Sequence, residues 1–481
     1  MNKAIHIAFL CCALIISGVS AETIEVSSKK EFDEAQYYAG PGDIISWLPG
    51  RYEDVYLYMN KDGITIEAKY PGETIFTGNS KAYLSGDNVT VRGLQFKDGN
   101  IGDAHVFVIK GSHDLVTQVN IIGYTSHKYL TISKDSQYVT ISRCNFENRI
   151  NKADKNILNV AVSEEQPGFH KIQYCSFRNF GGTGKDMGVE PIRIGHSKQA
   201  NFESKTIVEF CYFTACNGDG ELISNKSSKN IFRYNTFENN PLAELVLRHG
   251  SDTYVYSNFF MKGKGGVRIR EGSNHFIINN YFSNLAGRSI TLDSGKMDPI
   301  KNIVILNNTF VNTSKLLLGG NKTVLPKKVM LANNLFVAPT TSIVANTSGK
   351  EVWVGNMYQG RLGIGDHKGL KKVNPLMAKN ELGLYELAEK SPAVNGAEKN
   401  KIKLPEFKDL NADASLSYDI RRQKRPAEVS QKDVGCLEFN GTAAILKPFA
   451  TSENTGPKYL EAVRYGDLGS GFGSDSGITY H

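Results

Sequence analysis

Cysteine is scarce in this chain and badly spaced for crosslinking, with only seven among 481 residues. Two of them, Cys11 and Cys12, sit in the first apolar run, which leaves Cys144, Cys175, Cys211, Cys216 and Cys436. An odd number at wide intervals, with no CxxC and no Cys/His ligand spacing, excludes a disulfide framework and a zinc module. Proline is also sparse, at 15, and no Pro-rich linker divides the chain. Past the first few dozen positions there is no apolar run of about 20 residues, so no helical membrane span is expected downstream. Glycine is plentiful, at 46, but lacks the three-residue period of a collagen, and 40% hydrophobic residues exclude a disordered chain. The net charge is +7, of which Lys3 contributes one, and suits an acidic partner without choosing among nucleic acid, anionic lipid and acidic polysaccharide. No nucleic-acid motif accompanies it.

The start of the chain reads as an export signal. Asn2-Lys3 precedes the apolar run Ala8-Phe-Leu-Cys-Cys-Ala-Leu-Ile-Ile16, and small residues follow up to Ala21. A basic start, a short apolar stretch and small residues at −3 and −1 predict cleavage after Ala21 and a secreted or periplasmic protein. The run is too short for an uncleaved anchor, and Leu10 before Cys11 is too large for a lipoprotein site.

One short phrase recurs along most of the rest. It reads Thr140-Ile-Ser-Arg-Cys-Asn-Phe146, Lys171-Ile-Gln-Tyr-Cys-Ser-Phe177 and Ile207-Val-Glu-Phe-Cys-Tyr-Phe213. It continues as Ile231-Phe-Arg-Tyr-Asn-Thr-Phe237, Tyr254-Val-Tyr-Ser-Asn-Phe-Phe260 and Phe276-Ile-Ile-Asn-Asn-Tyr-Phe282. Further copies end at Phe310, Phe336 and Tyr358, and Phe96 closes an early one. The terminal aromatics recur roughly every 22–36 residues, the interval of a solenoid coil. Apolar and polar residues alternate for about five positions in each copy, which predicts a strand with one buried face. Two positions before the aromatic stands Cys144, Cys175 or Cys211, and then Asn235, Asn258, Asn280, Asn308, Asn334 and Asn356. In a coil of parallel strands such positions stack, so asparagines would bond up a column and cysteines would fill the same space. The pattern predicts an all-β, right-handed parallel β-helix of roughly ten or more turns, with the cysteines structural.

The open ends of such a helix need covers. Ser28-Lys-Lys-Glu31 is a capping box, with Phe32, Ala35 and Ala39 at helical spacing, so residues 28–38 are expected to be a capping helix. After Tyr358 the phrase stops. The chain therefore divides into a signal at 1–21, a β-helix catalytic domain at 22–375 and a C-terminal cover with a flexible tail at 376–481. The segments Ser391-Pro-Ala-Val-Asn395 and Asp433-Val-Gly-Cys-Leu-Glu438 are expected in that cover, and the Gly/Ser-rich 469–477 in the tail.

Charged residues gather between Asp186 and Arg270, on turns rather than in apolar strands. Glu190 and Arg193, then Asp219, Glu221 and Lys226, then Arg248 and His249, then Arg268 and Arg270 fall on about one coil each. Stacking would set them side by side at steps of about 4.8 Å. A ladder of surface salt bridges is the plainer reading. These residue types also suit β-elimination on a uronic acid, which needs the carboxylate neutralised, the C5 proton removed and the leaving oxygen protonated. Lys226 can be the base only if its pKa falls. Arg248 can donate to the leaving oxygen, and Arg193, His249, Arg268 and Arg270 are candidates for holding carboxylates.

The strings Ile192-Arg-Ile-Gly195, Glu221-Leu-Ile-Ser-Asn-Lys226-Ser, Leu247-Arg-His-Gly250, Gly265-Gly-Val-Arg268-Ile and Asn279-Asn-Tyr-Phe282 resemble polysaccharide lyase family 6. That family holds alginate lyases and the dermatan-cleaving chondroitinase B. The resemblance begins at Gly40-Pro-Gly-Asp43 and Gly50-Arg-Tyr52 and reaches the C-terminal cover, spanning nearly the whole mature chain. It implies a parallel β-helix, Lys226 as base, Arg248 as acid, and Asp219 and Glu221 at calcium-ligand positions, with Glu190 available as a further ligand. Where the family commonly has Asn, five residues before Ile192, this chain has Met187, a thioether that calcium does not favour. Without a cation, Glu190, Asp219 and Glu221 would raise the lysine's pKa unless Arg193, Arg248 and His249 neutralise them. The expectation is an alginate-cleaving monomer whose activity survives chelation. Dermatan sulfate cleavage, hydrolysis by Asp219 and Glu221 as paired carboxylates, and a non-catalytic glycan-binding β-helix are the competing readings.

Overall fold

The structure, a computed structural model, describes residues 21–149, 156–185, 188–293, 300–313, 315–320, 324–402, 404, 417–439, 441 and 445–460. The expected export signal, apart from Ala21, and the expected 469–477 tail lie outside these residues. The chain winds as a right-handed parallel β-helix. Each coil visits three sheets in turn, as Ile44–Trp47, Gly50–Glu53 and Tyr56–Met59 do in an early coil. The first and second sheets have 14 strands each and the third has 12, and every neighbour within them is parallel.

The repeated phrase is the corner between the first and second sheets. It is two short strands rather than the single strand expected from its alternation. Thr140–Ser142 lies in the first sheet and Asn145–Glu147 in the second, and Arg143 between them turns the chain at φ 49°. The equivalent residues Tyr174, Phe210, Tyr234, Ser257, Asn279, Asn307 and Asn333 all share this left-handed conformation. Strand-like alternation passes through the corner because a single left-handed residue turns the path without shifting the inside/outside register.

The phrase's two marked positions become two interior columns. Phe146, Phe177, Phe213, Phe237, Phe260, Phe282, Phe310 and Phe336 stack face to face with centroids 4.6–5.1 Å apart. Each buried ring stabilises the fold by roughly 1.5–3 kcal/mol. The second column is the expected asparagine ladder. Nδ2 of Asn235, Asn258, Asn280, Asn308 and Asn334 each donates to Oδ1 of the next at 2.9–3.0 Å, ending on Asn356. Cys144, Cys175 and Cys211 continue the column downward as buried free thiols aimed at backbone carbonyls.

The N-terminal helix, α1 (Lys29–Tyr38), seats Phe32, Ala35 and Gln36 on the open end. Its cap Ser28 accepts from the Glu31 amide, while Glu31 reaches past the cap to the amide of Ser27. The C-terminal segment lies along the flank of the solenoid, a placement the sequence reading did not foresee. Leu384, Ile420, Cys436 and Leu437 pack on outward-facing Phe259, Tyr281 and Val311 of the second sheet. Ala393 and Val434 pack beside Leu335 and Met357. The chain then runs back along the coils until the Tyr459 ring lies over Gly72, a position where any Cβ would collide. That leaves the outer face of the third sheet to the charged residues.

Candidate active site

The third sheet fixes the charged residues by register. Ile194, Asn225, Leu247 and Ile269 pair one above the other, so the residues that follow them also stack. Gly195, Lys226, Arg248 and Arg270 therefore form one column along the edge of the sheet. Its backbone bonds run Lys226 N–H to Ile194, Arg248 N–H to Asn225 and Arg270 N–H to Leu247. Lys226 and Arg248 are one strand spacing apart, about 4.8 Å. Arg193, Ser224, Val246 and Arg268 form the neighbouring outward column. On the opposite edge, Glu221 pairs with Glu244 at an irregular step in the register. A basic rail thus faces an acidic rail across a floor one residue wide.

The turn carrying Lys226 is held from beneath. Asn230, fully buried, donates to Asn225 Oδ1 at 2.8 Å and to the carbonyl and hydroxyl of Ser227 at 3.1 Å each, and accepts from the Thr206 amide at 2.9 Å. One coil on, Gly250 has φ 84° and its missing Cβ would stand 2.2 Å from the Ser227 carbonyl oxygen. Glycine there lets the Arg248–His249 turn close onto the Lys226–Ser227 turn.

Lys226 is half-buried, and among the described residues its ammonium has no hydrogen-bond or ion-pair partner. Burial pushes its pKa below the ordinary lysine value, and the Arg193 guanidinium pushes the same way. Glu190 and Glu221 pull against them and Arg248 adds to the push, with a net lowering. The acids pull upward but are outweighed, as expected where arginines neutralise them: Glu190 and Glu221 are each paired with one. Arg193 holds Glu190 through Nη2 at 2.7 and 2.9 Å and Nε at 3.2 Å, and Arg248 Nη1 donates to Glu221 Oε1 at 2.5 Å.

The other expected residues are placed unequally. His249 Nδ1 lies 2.7 Å from Glu271 Oε2, and Arg268 holds Asp293 at 2.8 Å with Glu244 at 3.9 Å. Arg270 has no hydrogen-bond or ion-pair partner among the described residues. Sequence reading missed Glu244, Glu271 and Asp293. Their signal was present, since Glu271 follows His249 and Asp293 follows Arg268 by about one coil. Burial pushes the Glu244 carboxyl up, against the pull of Arg268, Lys264 and Arg288.

Glu190, Asp219 and Glu221 fit a calcium ion poorly. Both Glu190 oxygens face Arg193. Asp219 accepts the Gly188 amide at 2.6 Å and the Glu221 amide at 3.0 Å. Of the two Glu221 oxygens, Oε2 is buried without a hydrogen-bond partner. Of these six carboxylate oxygens only that one is uncommitted, so calcium, which takes about six to eight oxygens, would have to displace Arg193 or draw mostly on water and backbone carbonyls. Among the described residues, no three His, Cys, Asp or Glu side chains gather as a ligand set. Asp186 and Met187 lie outside the described residues.

The family profile described as Chondroitinase B matches residues 26–352. Among solved structures, the chain is similar to AlyGC, a PL6 family alginate lyase, at 26% identity and a TM-score of 0.68. The match covers 76% of this chain and spans 55% of AlyGC. A mannuronic acid specific polysaccharide family 6 lyase from human gut microbiota matches at 22% identity and TM-score 0.65, covering 73% and 91% of the two chains. A PL6 family polysaccharide lyase from Pseudopedobacter saltans matches at 18% and 0.59, covering 76% and 96%. At those identities the last two attest the fold alone. No curated protein matches the chain.

Proposed function

The chain belongs to the chondroitinase B family, polysaccharide lyase family 6, and from that premise we propose that it cleaves alginate by β-elimination. The observation that carries the reading is the half-buried Lys226, without an ion-pair partner among the described residues and one coil from Arg248, with its pKa held down by burial and Arg193. Neutral Lys226 takes the C5 proton of a uronate onto Nζ. The released electron pair forms the C4–C5 double bond, the C4–O bond breaks, and Arg248 donates to the departing oxygen. Arg270, free to meet an anion, holds the uronate carboxylate, with Arg193 and Arg268 adding positive potential from the next column. His249 is a less direct carboxylate holder, since Glu271 already occupies it.

The prior engagement of the Glu190 and Asp219 oxygens supports a reaction that runs without a divalent cation. Export by the 1–21 segment, action as a monomer, and alginate as substrate belong to the same proposal. The testing experiment sets purified protein on alginate, on its mannuronate and guluronate blocks, and on dermatan sulfate, and follows the ultraviolet absorbance of the unsaturated product. Absorbance from alginate supports the reading, and cleavage of dermatan sulfate alone moves the substrate. New reducing ends without absorbance would mean hydrolysis.

A further inference from the structure

The sheet that carries Lys226 has a second unusual surface nearer α1. Tyr56 and Tyr58, on the strand Tyr56–Met59, are 38% and 43% exposed, so both rings face solvent on an open sheet. Register puts Lys81 beside Tyr56 and Tyr83 beside Tyr58 in the next strand, Lys81–Leu84. The rings pair at a tilt, Tyr56–Tyr58 at 6.0 Å and Tyr58–Tyr83 at 5.6 Å. Lys81 stands 5.1 Å from the Tyr56 centroid and Lys110 5.7 Å from that of Tyr83. Exposed aromatics grouped in this way on a soluble protein usually mark a binding surface.

Two facts on this sheet say what would bind. The first is continuity. Tyr83 heads the outward column Tyr83, Val108, Thr131, Asn159, Arg193, and Lys110 heads the edge column Lys110, Ser133, Ala161, Gly195, Lys226. The second is charge. Between the two ends both columns carry only neutral side chains, so cations stand at each end of a track without an acid in it.

We propose that Tyr56, Tyr58 and Tyr83, with Lys81 and Lys110, form a second binding site for the acidic polysaccharide. It lies four strand spacings, roughly 19 Å, from the Arg193–Lys226 end. This rests on the polyuronate reading above. Tyrosine faces offer flat apolar contact to the C–H faces of sugar rings, and the two ammonium groups meet uronate carboxylates. A polymer held at both ends of the track gains avidity that a short oligosaccharide cannot.

The test uses the full chain in two forms, Tyr56→Ala/Tyr58→Ala/Tyr83→Ala and Lys81→Gln/Lys110→Gln. The ratio of kcat/KM on polymeric alginate to kcat/KM on an alginate trisaccharide is expected to fall by about tenfold in each. The same substitutions in a Lys226→Ala background should weaken retardation by alginate in affinity electrophoresis, with melting unchanged. If wild type cleaves alginate and neither the ratio nor the retardation moves, this inference is overturned and the lyase reading stands. If wild type neither cleaves nor binds any polyuronate, both are overturned. If wild type sediments as a dimer that the tyrosine variant dissolves, while alginate retardation stays the same, the surface is a contact between copies instead.

Discussion

Asn230 offers the sharpest test of how this fold presents a base. Its side chain accepts the Thr206 amide and donates to Asn225 and Ser227, the two residues flanking Lys226. Replacing it with alanine leaves the Thr206 N–H and Asn225 Oδ1 without these partners in a site that water does not reach. A buried polar group stranded in this way costs about 1–3 kcal/mol, and two or three groups lose bonds here, so about 3–5 kcal/mol is expected. In a solenoid much of that cost falls on the local coils rather than on the whole. Hydrogen exchange at the Thr206 amide should therefore speed up more than the global midpoint shifts. The catalytic loss has another origin. With its two anchors released, the Lys226 turn can wander, and misplacing a reacting group by about 1 Å costs around 10²-fold in kcat. Asn230→Asp separates the two effects, because it keeps the acceptor for Thr206 and removes the donors to Asn225 and Ser227. With a carboxylate facing the Asn225 and Ser227 oxygens it should melt no higher than alanine, yet its Thr206 amide should exchange more slowly than in alanine while kcat stays low. An Asn230→Ala enzyme with wild-type melting and wild-type kcat would refute the reasoning.

Lys226→Ala and Arg248→Ala should each lower kcat by about 10²–10⁴-fold, the usual range for an acid–base group; melting should stay almost unchanged in Lys226→Ala, whereas Arg248→Ala also strips the buried Glu221 carboxylate of its partner and should melt lower. Arg193→Gln removes a cation that disfavours charge on Lys226 and frees Glu190 to favour it, so the lysine's pKa should rise. Since the neutral amine is the active form, kcat/KM should then fall at every pH below the acidic limb and recover above it, and an unmoved limb would clear Arg193 of that role. Gly250→Ala forces a Cβ against the Ser227 carbonyl in a left-handed conformation, and should lose both stability and activity by thermal melting and lyase assay. Activity should persist after dialysis against a chelator, whereas complete loss restored by calcium but not by magnesium would contradict the donor engagement argued for Glu190 and Asp219.

A solenoid is unusually legible because distance along its sequence converts to distance in space by whole coils. The phrase ending in Phe146, Phe177 and Phe213 was enough to place the aromatic column, and the residue two before it was enough for the asparagine ladder. The same arithmetic brought Arg193, Lys226, Arg248 and Arg270 onto one face. It failed where the answer depends on which side chain reaches which. Each acid at the site has several cations within one coil, and only the packing of the coils chooses Arg193 for Glu190, Arg248 for Glu221 and Glu271 for His249. Those choices decide the chemistry, since they leave Lys226 and Arg270 without ion-pair partners among the described residues and neutralise the two glutamates, so that burial and Arg193 set the direction of the lysine's pKa. The corners failed for a different reason. Arg143, Tyr174 and Phe210 take a left-handed turn that sequence statistics reserve for glycine and asparagine. They tolerate it because each corner is braced by the identical corner of the coils above and below. The repeat thus supplies the stabilisation that the residue type does not, and the same bracing allows four charged turns to be stacked at one strand spacing without springing apart. A substitution that loosens one corner should therefore disturb its neighbours along the column before it disturbs its neighbours in sequence, and the Asn230 exchange experiment reads that difference directly.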